Sequence, residues 1–101
     1  MEISINKEVE GFIKSLEKQT IAKVLRTIDL LERFGSTLGL HHSKSLGQGL
    51  FELRIRGQQE VRIFYAFQHN SASLFCGFIK KSQQTPHREI TKAMKLFRGL
   101  T

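Results

Sequence analysis

The chain has 101 residues, 40% of them hydrophobic and 25% charged, which fits one small domain spanning 1–101 and leaves no material for a second. No apolar run approaches the roughly 20 residues of a membrane span, and Met1 to Ser4 lack the basic and then apolar pattern of a signal peptide, so the expectation is a cytoplasmic protein with no membrane partner. A single cysteine, Cys76, excludes an internal disulfide and, with scattered histidines, falls short of a zinc site; no metal and no cofactor is expected.

The net charge is +7 and the pI about 10.0. Its distribution is one-sided: the first forty residues carry six basic and six acidic side chains, and all of the excess lies between His41 and Thr101. Such a field attracts polyanions, of which phosphate backbones are the commonest in the cytoplasm. An acidic protein partner, or simple solubility, are the alternatives that charge alone leaves open.

Over residues 7–18, Val9, Phe12, Ile13 and Leu16 recur at helical spacing behind Asn6, an N-cap residue. A second helix is predicted from Thr20 to Phe34, with Ile21, Val24, Leu25, Ile28, Leu31 and Phe34 as its stripe and Gly35 closing it. The short connection makes the two an antiparallel hairpin. Segment 35–49, with four glycines and no sustained period, reads as a loop.

The period then changes to two. Phe51, Leu53 and Ile55 alternate with Glu52, Arg54 and Arg56; Val61, Ile63, Tyr65 and Phe67 alternate with Arg62, Phe64 and Ala66. A third strand over 72–80 sets Phe75, Gly77 and Ile79 against Leu74, Cys76, Phe78 and Lys80. Turns at 57–59 and 69–71 are too short for crossover helices, so the strands form an antiparallel meander. Thr85 as N-cap and Pro86 at the first helical position open a terminal helix that carries Ile90, Ala93, Met94 and Phe97. Ile3 and Ile5 allow a short extra strand. The expected architecture is α+β, with a two-helix hairpin, a three- or four-stranded antiparallel sheet and a closing helix.

Cations inside strands require an explanation. A three-residue turn at Gly57 to Gln59 sets Arg54 directly across from Arg62, and Arg56 across from Glu60; the even-length alternative would scatter the cations over both faces. Facing guanidiniums are destabilising unless an anion or a carboxylate lies between them. Lys80, Lys81 and the Pro86 end of the last helix can join Arg54 and Arg62 around one phosphodiester. The bland counterpart pairs Arg54 with Glu52 or Glu60 and leaves the lysines solvated.

His87, beside this cluster, is the histidine placed to exchange protons, although a solvated helix end would look the same. His41, His42 and His69 read as loop or turn residues. Phe64 shares the Arg62 face, where it either stacks a base or fills the gap under the last helix; Tyr65 belongs to the core. No G-x-S-x-G, Walker A, G-x-G-x-x-G or H-E-x-x-H pattern occurs, which removes the best support for hydrolase, ATPase and dehydrogenase chemistry.

The runs His42 to Leu46, Gly49 to Arg54, Val61 to Phe67, Gly77 to Lys81 and Thr85-Pro86 followed by Glu89, Ile90 and Ala93 resemble the phage-derived, HigB-like branch of the RelE/ParE toxin superfamily over nearly the whole chain. The resemblance implies a RelE-like fold and a toxin of a type II toxin-antitoxin pair. It also implies a metal-independent endoribonuclease that cuts mRNA, usually on the ribosome, by attack of the ribose 2′-hydroxyl on the adjacent phosphate. Arg54 and Arg62 match the positions that hold the scissile phosphate, Lys80 and Lys81 the basic strand end, and His87 is the stand-in for a C-terminal tyrosine or histidine that this chain lacks. Lys44, Arg56, Phe64 and Arg88 complete the expected RNA surface. The implied partners are mRNA, the ribosome and a cognate antitoxin of helix-turn-helix type. A ParE-like gyrase inhibitor without nuclease activity, or a module that only binds a partner, are the alternatives.

Overall fold

The computed structural model describes residues 1–81 and 86–99. The chain runs β1 (Glu2–Ile5), α1 (Lys7–Lys14), α2 (Lys18–Phe34), a 3-10 turn (Gly35–Thr37), β2 (Ser43–Gly47), β3 (Leu50–Ile55), β4 (Val61–Gln68), β5 (Ser71–Ile79) and α3 (His87–Gly99). The strands form one mixed sheet in the order β1-β5-β4-β3-β2. One face carries the α1/α2 hairpin, the other α3.

The Asn6 side chain caps α1 by accepting from the Val9 amide at 2.8 Å and donates from its amide nitrogen to the Phe75 carbonyl at 3.0 Å. The helix ends at Lys14, earlier than the periodicity to residue 18 predicts, because the Ser15 hydroxyl takes up the Phe12 carbonyl at 2.6 Å; Leu16 still reaches the core from the connection. Val9, Ile13, Leu16, Val24, Ile28 and Leu31 pack against Leu53, Ile55, Val61, Ile63, Tyr65 and Leu74. Leu25 and Phe34, read as part of the stripe, lie about half exposed at its margins. On the opposite face Leu50, Phe64, Ala66, Phe75 and Cys76 form a smaller cluster closed by Ala93, Ile90, Met94 and Phe97 of α3. Each fully buried Val, Leu, Ile or Phe among them contributes roughly 1.5–3 kcal/mol of transfer free energy.

The meander of β3, β4 and β5 follows the alternation, and β3 meets β4 in the odd register, with Arg54 opposite Arg62 and Ile55 opposite Val61. The expected pairing of Arg56 with Glu60 does not form, since the ladder stops at Ile55. Two further strands correct the expected sheet from three or four antiparallel strands to five mixed ones. β1 lies parallel to β5, from Glu2 opposite Ser71 to Ile5 opposite Leu74; the helical hairpin and the meander supply the long connection that a parallel pair needs. β2 occupies part of segment 35–49 that reads as loop. It pairs antiparallel with β3 through a two-residue turn in which Gln48 and Gly49 both take positive φ, 55° and 86°, the conformation that tight hairpins demand.

β5 also breaks strict alternation. Phe64 pairs with Cys76 and Tyr65 with Leu74, so Phe75 is an extra, bulged residue. Leu74 therefore joins the hairpin core, while Phe75 and Cys76 both face α3, which corrects the expected phase of Phe75 with Gly77 and Ile79. Pro86 precedes α3 rather than opening it, its carbonyl accepting from Glu89 and Ile90 at 3.0 and 3.3 Å. The expected Thr85 cap lies outside the described residues.

Candidate functional site

On the α3 side of the sheet, β3, β4 and the end of β5 bring together a cluster of charged side chains, of which Glu52 and Arg62 are buried. Arg54 and Arg62 project to the same side, as their pairing requires. Between them lies Glu52, buried on the same face of β3, with Oε1 3.7 Å from Nε of each arginine. Arg62 is 3% exposed and also places Nη1 3.3 Å from Oε2 of Glu60 and 3.0 Å from the Val61 carbonyl. One carboxylate thus separates two facing cations, as like-charge repulsion requires. The separation of 3.7 Å is an ion pair and too long for a hydrogen bond. Both Nε–H groups are buried without an acceptor among the described residues. Arg54, whose side chain is 21% exposed, is the guanidinium of the pair that an acceptor such as a phosphate can reach from solvent, while Arg62 is enclosed beside Glu52 and Glu60.

Lys80 follows the end of β5, half-buried, with its amide donating to the Glu60 carbonyl at 2.6 Å. Burial lowers its ammonium pKa below the ordinary lysine value, Arg62 and Arg54 push it further in the same direction, and Glu52 and Glu60 oppose them. Lys80 therefore belongs electrostatically to the arginine pair. Phe78 stands opposite Arg62 in the ladder, half-buried, its ring stacked on Phe64 at a centroid distance of 5.6 Å.

The remaining predicted residues are spread more widely. Lys44, exposed on β2, faces Glu52 in register and borders the cluster. Lys81 and Arg88 line a separate cavity of about 510 Å3 with Phe12, Phe78, Ile79, Pro86 and Glu89. His87 is exposed at the start of α3, and no hydrogen bond or ion pair joins its ring to the cluster among the described residues. Arg56 is exposed beyond the end of β3, toward α2. Phe64 corrects a prediction: at 0% exposure under α3 it cannot stack on RNA, and it fills the gap between sheet and helix instead. Two site residues escaped the sequence. Glu52 figured only as a possible partner of Arg54, and Phe78 would have emerged from extending the β3/β4 register to β5.

The profile of the family described as phage derived protein Gp49-like (DUF891) matches residues 11–98. The chain belongs to this family. No curated protein sequence matches it. Among solved structures, this Gp49-like chain is similar to a chain of the intact Escherichia coli RelBE toxin-antitoxin complex, with a TM-score of 0.61 and 8% identity over 82% of this chain and 98% of that one. The isolated E. coli RelE toxin gives a TM-score of 0.60 at 8% identity, covering 95% of this chain and 97% of RelE. A chain of the heterotetrameric YoeB-YefM toxin-antitoxin complex from Staphylococcus aureus gives 0.57 at 17% identity, covering 81% and 97%. The fold of this Gp49-like protein is thus RelE-like, and no helix among its described residues is long and apolar enough to cross a membrane.

Proposed function

We propose that this Gp49-like protein is the toxin of a type II toxin-antitoxin pair, of the HigB-like kind, and that it is an endoribonuclease acting on mRNA held by the ribosome. The observation that carries the reading is the facing pair Arg54 and Arg62, ion-paired with Glu52, whose buried Nε–H groups have no hydrogen-bond acceptor among the described residues. The RelE-like fold supports it, because the proteins of that fold compared above are toxins or chains of toxin-antitoxin complexes.

In the proposed reaction the ribose 2′-oxygen attacks the adjacent phosphorus, the bond from phosphorus to the 5′-oxygen breaks, and the products are a 2′,3′-cyclic phosphate and a 5′-hydroxyl. Negative charge accumulates on the non-bridging oxygens, where Arg54 and Arg62 stabilise it. An arginine is too weak an acid to give up its proton at neutral pH, so the leaving 5′-oxygen takes a proton from Lys80, whose lowered pKa favours the transfer. Glu52 and Glu60 are engaged with the arginines, so the 2′-hydroxyl proton passes to solvent water, from which Lys80 regains the proton it gave to the 5′-oxygen, and the 2′-hydroxyl is aligned mainly by how the RNA is held. That requirement is what the ribosome supplies. Lys44, Lys81 and Arg88 extend the contact with the RNA backbone, and His87 serves at its edge. The cognate antitoxin, of helix-turn-helix type, restrains the activity in the cytoplasm.

The test is primer extension on total RNA after brief induction of wild type and Arg62→Ala, alongside a purified ribosome assay. New 5′ ends within translated frames that vanish in Arg62→Ala are expected. Growth arrest with intact messages and altered DNA supercoiling would replace the nuclease by a gyrase inhibitor.

A further inference from the structure

A second basic cavity, of about 220 Å3, opens on the α2 side of the β3 end. Lys23 and Arg26 come from α2, His41 and His42 from the turn before β2, and Arg54 and Arg56 from the end of β3. No carboxylate among the described residues lines it. Among the described residues none pairs with Lys23, Arg26 or Arg56 either; Lys23 Nζ donates only to the Arg56 carbonyl, at 3.4 Å. This contrasts with the Glu52 cluster, where the protein supplies its own counter-charge. Three permanent cations without a paired carboxylate, Lys23, Arg26 and Arg56, repel one another around one small space, and an external anion relieves the repulsion; only Arg54 has a counter-charge, Glu52.

Arg54 belongs to both places. Its Nε faces Glu52 and the arginine cluster, while the residue also forms part of the wall of this cavity. A polyanion seated at Arg62 and Arg54 therefore continues past Arg54 onto Lys23, Arg26 and Arg56 with no acidic side chain lining the cavity it enters. We infer that this cavity holds a backbone phosphate of the same RNA strand, beyond the one at which the arginine pair acts. Guanidiniums favour phosphate over a single carboxylate through paired donors, and two of the three permanent cations beyond the shared Arg54, Arg26 and Arg56, are arginines. The inference rests on the reading of the chain as an RNA-cleaving toxin, but binding alone tests it.

The probes are fluorescein-labelled uridine oligonucleotides, two and eight nucleotides long, with 2′-O-methyl riboses so that attack cannot occur. Their affinities are measured by anisotropy, across a salt series, for wild type, Lys23→Glu and Arg26→Glu. Both substitutions fall on exposed helix positions, and thermal unfolding checks that each variant is folded. The expected result is an octamer affinity weakened about tenfold, a log–log salt slope reduced by about 0.7 per lost contact, and dinucleotide affinity held within about twofold. Unchanged octamer binding overturns the inference. So does an equal loss for both lengths, which would mean a general field without a seated phosphate. A loss confined to binding of purified ribosomes would assign the cavity to ribosomal RNA instead and likewise overturns it. If the octamer result holds while no message is cut in cells, the cavity stands and the nuclease reading falls.

Discussion

Glu52 and Arg62 are both buried, on neighbouring strands, with Oε1 of one 3.7 Å from Nε of the other. Glu52 is also the only carboxylate paired with Arg54 among the described residues, so it keeps apart two cations that the β3/β4 register forces to face each other. Glu52→Gln removes the charge with little change of shape. The expected outcome is a loss of about 3 kcal/mol in urea unfolding, the cost of leaving buried cations uncompensated. Added sulfate should restore more stability to the variant than to the wild type; an equal response in the two would mean that the arginines do not form an anion seat.

Lys80 offers a check on the same cluster through its titration. In the folded protein its pKa lies below the ordinary 10.5, chiefly through burial and then through Arg62. Between the folded and unfolded values the unfolded chain binds more protons, so stability from this group rises with pH through that window. The contribution is fully present above 10.5 and is lost as the pH falls through the folded value. Carbon-detected NMR of the Lys80 side chain should give a depressed midpoint, higher in Arg62→Ala and lower still in Glu52→Gln.

Gly77 is required by a close approach rather than by its backbone angles. A Cβ there would lie 2.6 Å from Cδ2 and 2.8 Å from Cε2 of Phe12, whose ring lies against β5 at that point. Gly77→Ala is expected to cost about 1–3 kcal/mol through overpacking, measured by denaturant unfolding. Adding Phe12→Leu should recover part of the loss; no recovery would locate the strain elsewhere.

Cys76 is fully enclosed between β5 and α3, and burial raises its thiol pKa, with Lys92 opposing and Glu8 and Glu89 adding to the rise. A neutral buried thiol is a poor nucleophile. Ellman's reagent should label Cys76 only at the rate at which the protein opens, and prompt labelling of the native protein would show that α3 does not hold its place. The sign for stability follows: the folded chain keeps the proton longer than the unfolded one, so this contribution is complete below the ordinary 9.0 and declines as the pH rises through the folded value.

What the sequence made legible were the elements with a regular apolar period. The helical hairpin and the β3/β4 ladder each carry an apolar period on one face, and that period fixed the odd register that sets Arg54 against Arg62. β2 was not legible because Ser43-Lys44-Ser45-Leu46-Gly47 has one large apolar residue and gains its place from hydrogen bonds to β3. The bulge at Phe75 defeated simple alternation, since two successive residues face α3. Phe64 could stack a base or fill the gap under the last helix, and the path of α3 decides for the second. Glu52 looked like an ordinary strand-face carboxylate, and only the crossing of two ladders shows it to be enclosed by arginines.

The parallel pairing of β1 with β5 joins Glu2 to Ser71, so the first strand has no neighbour until most of the chain has been made. Local contacts form the α1/α2 hairpin and the β3/β4 turn early, whereas closing β1 onto β5 carries the entropy of a very long loop. Asn6 joins these two stages, since it caps α1 and also bonds the bulge carbonyl of Phe75. β1, one of the two edge strands of the sheet, is therefore expected to lock late, after the arginines of β3 and β4 have been brought together.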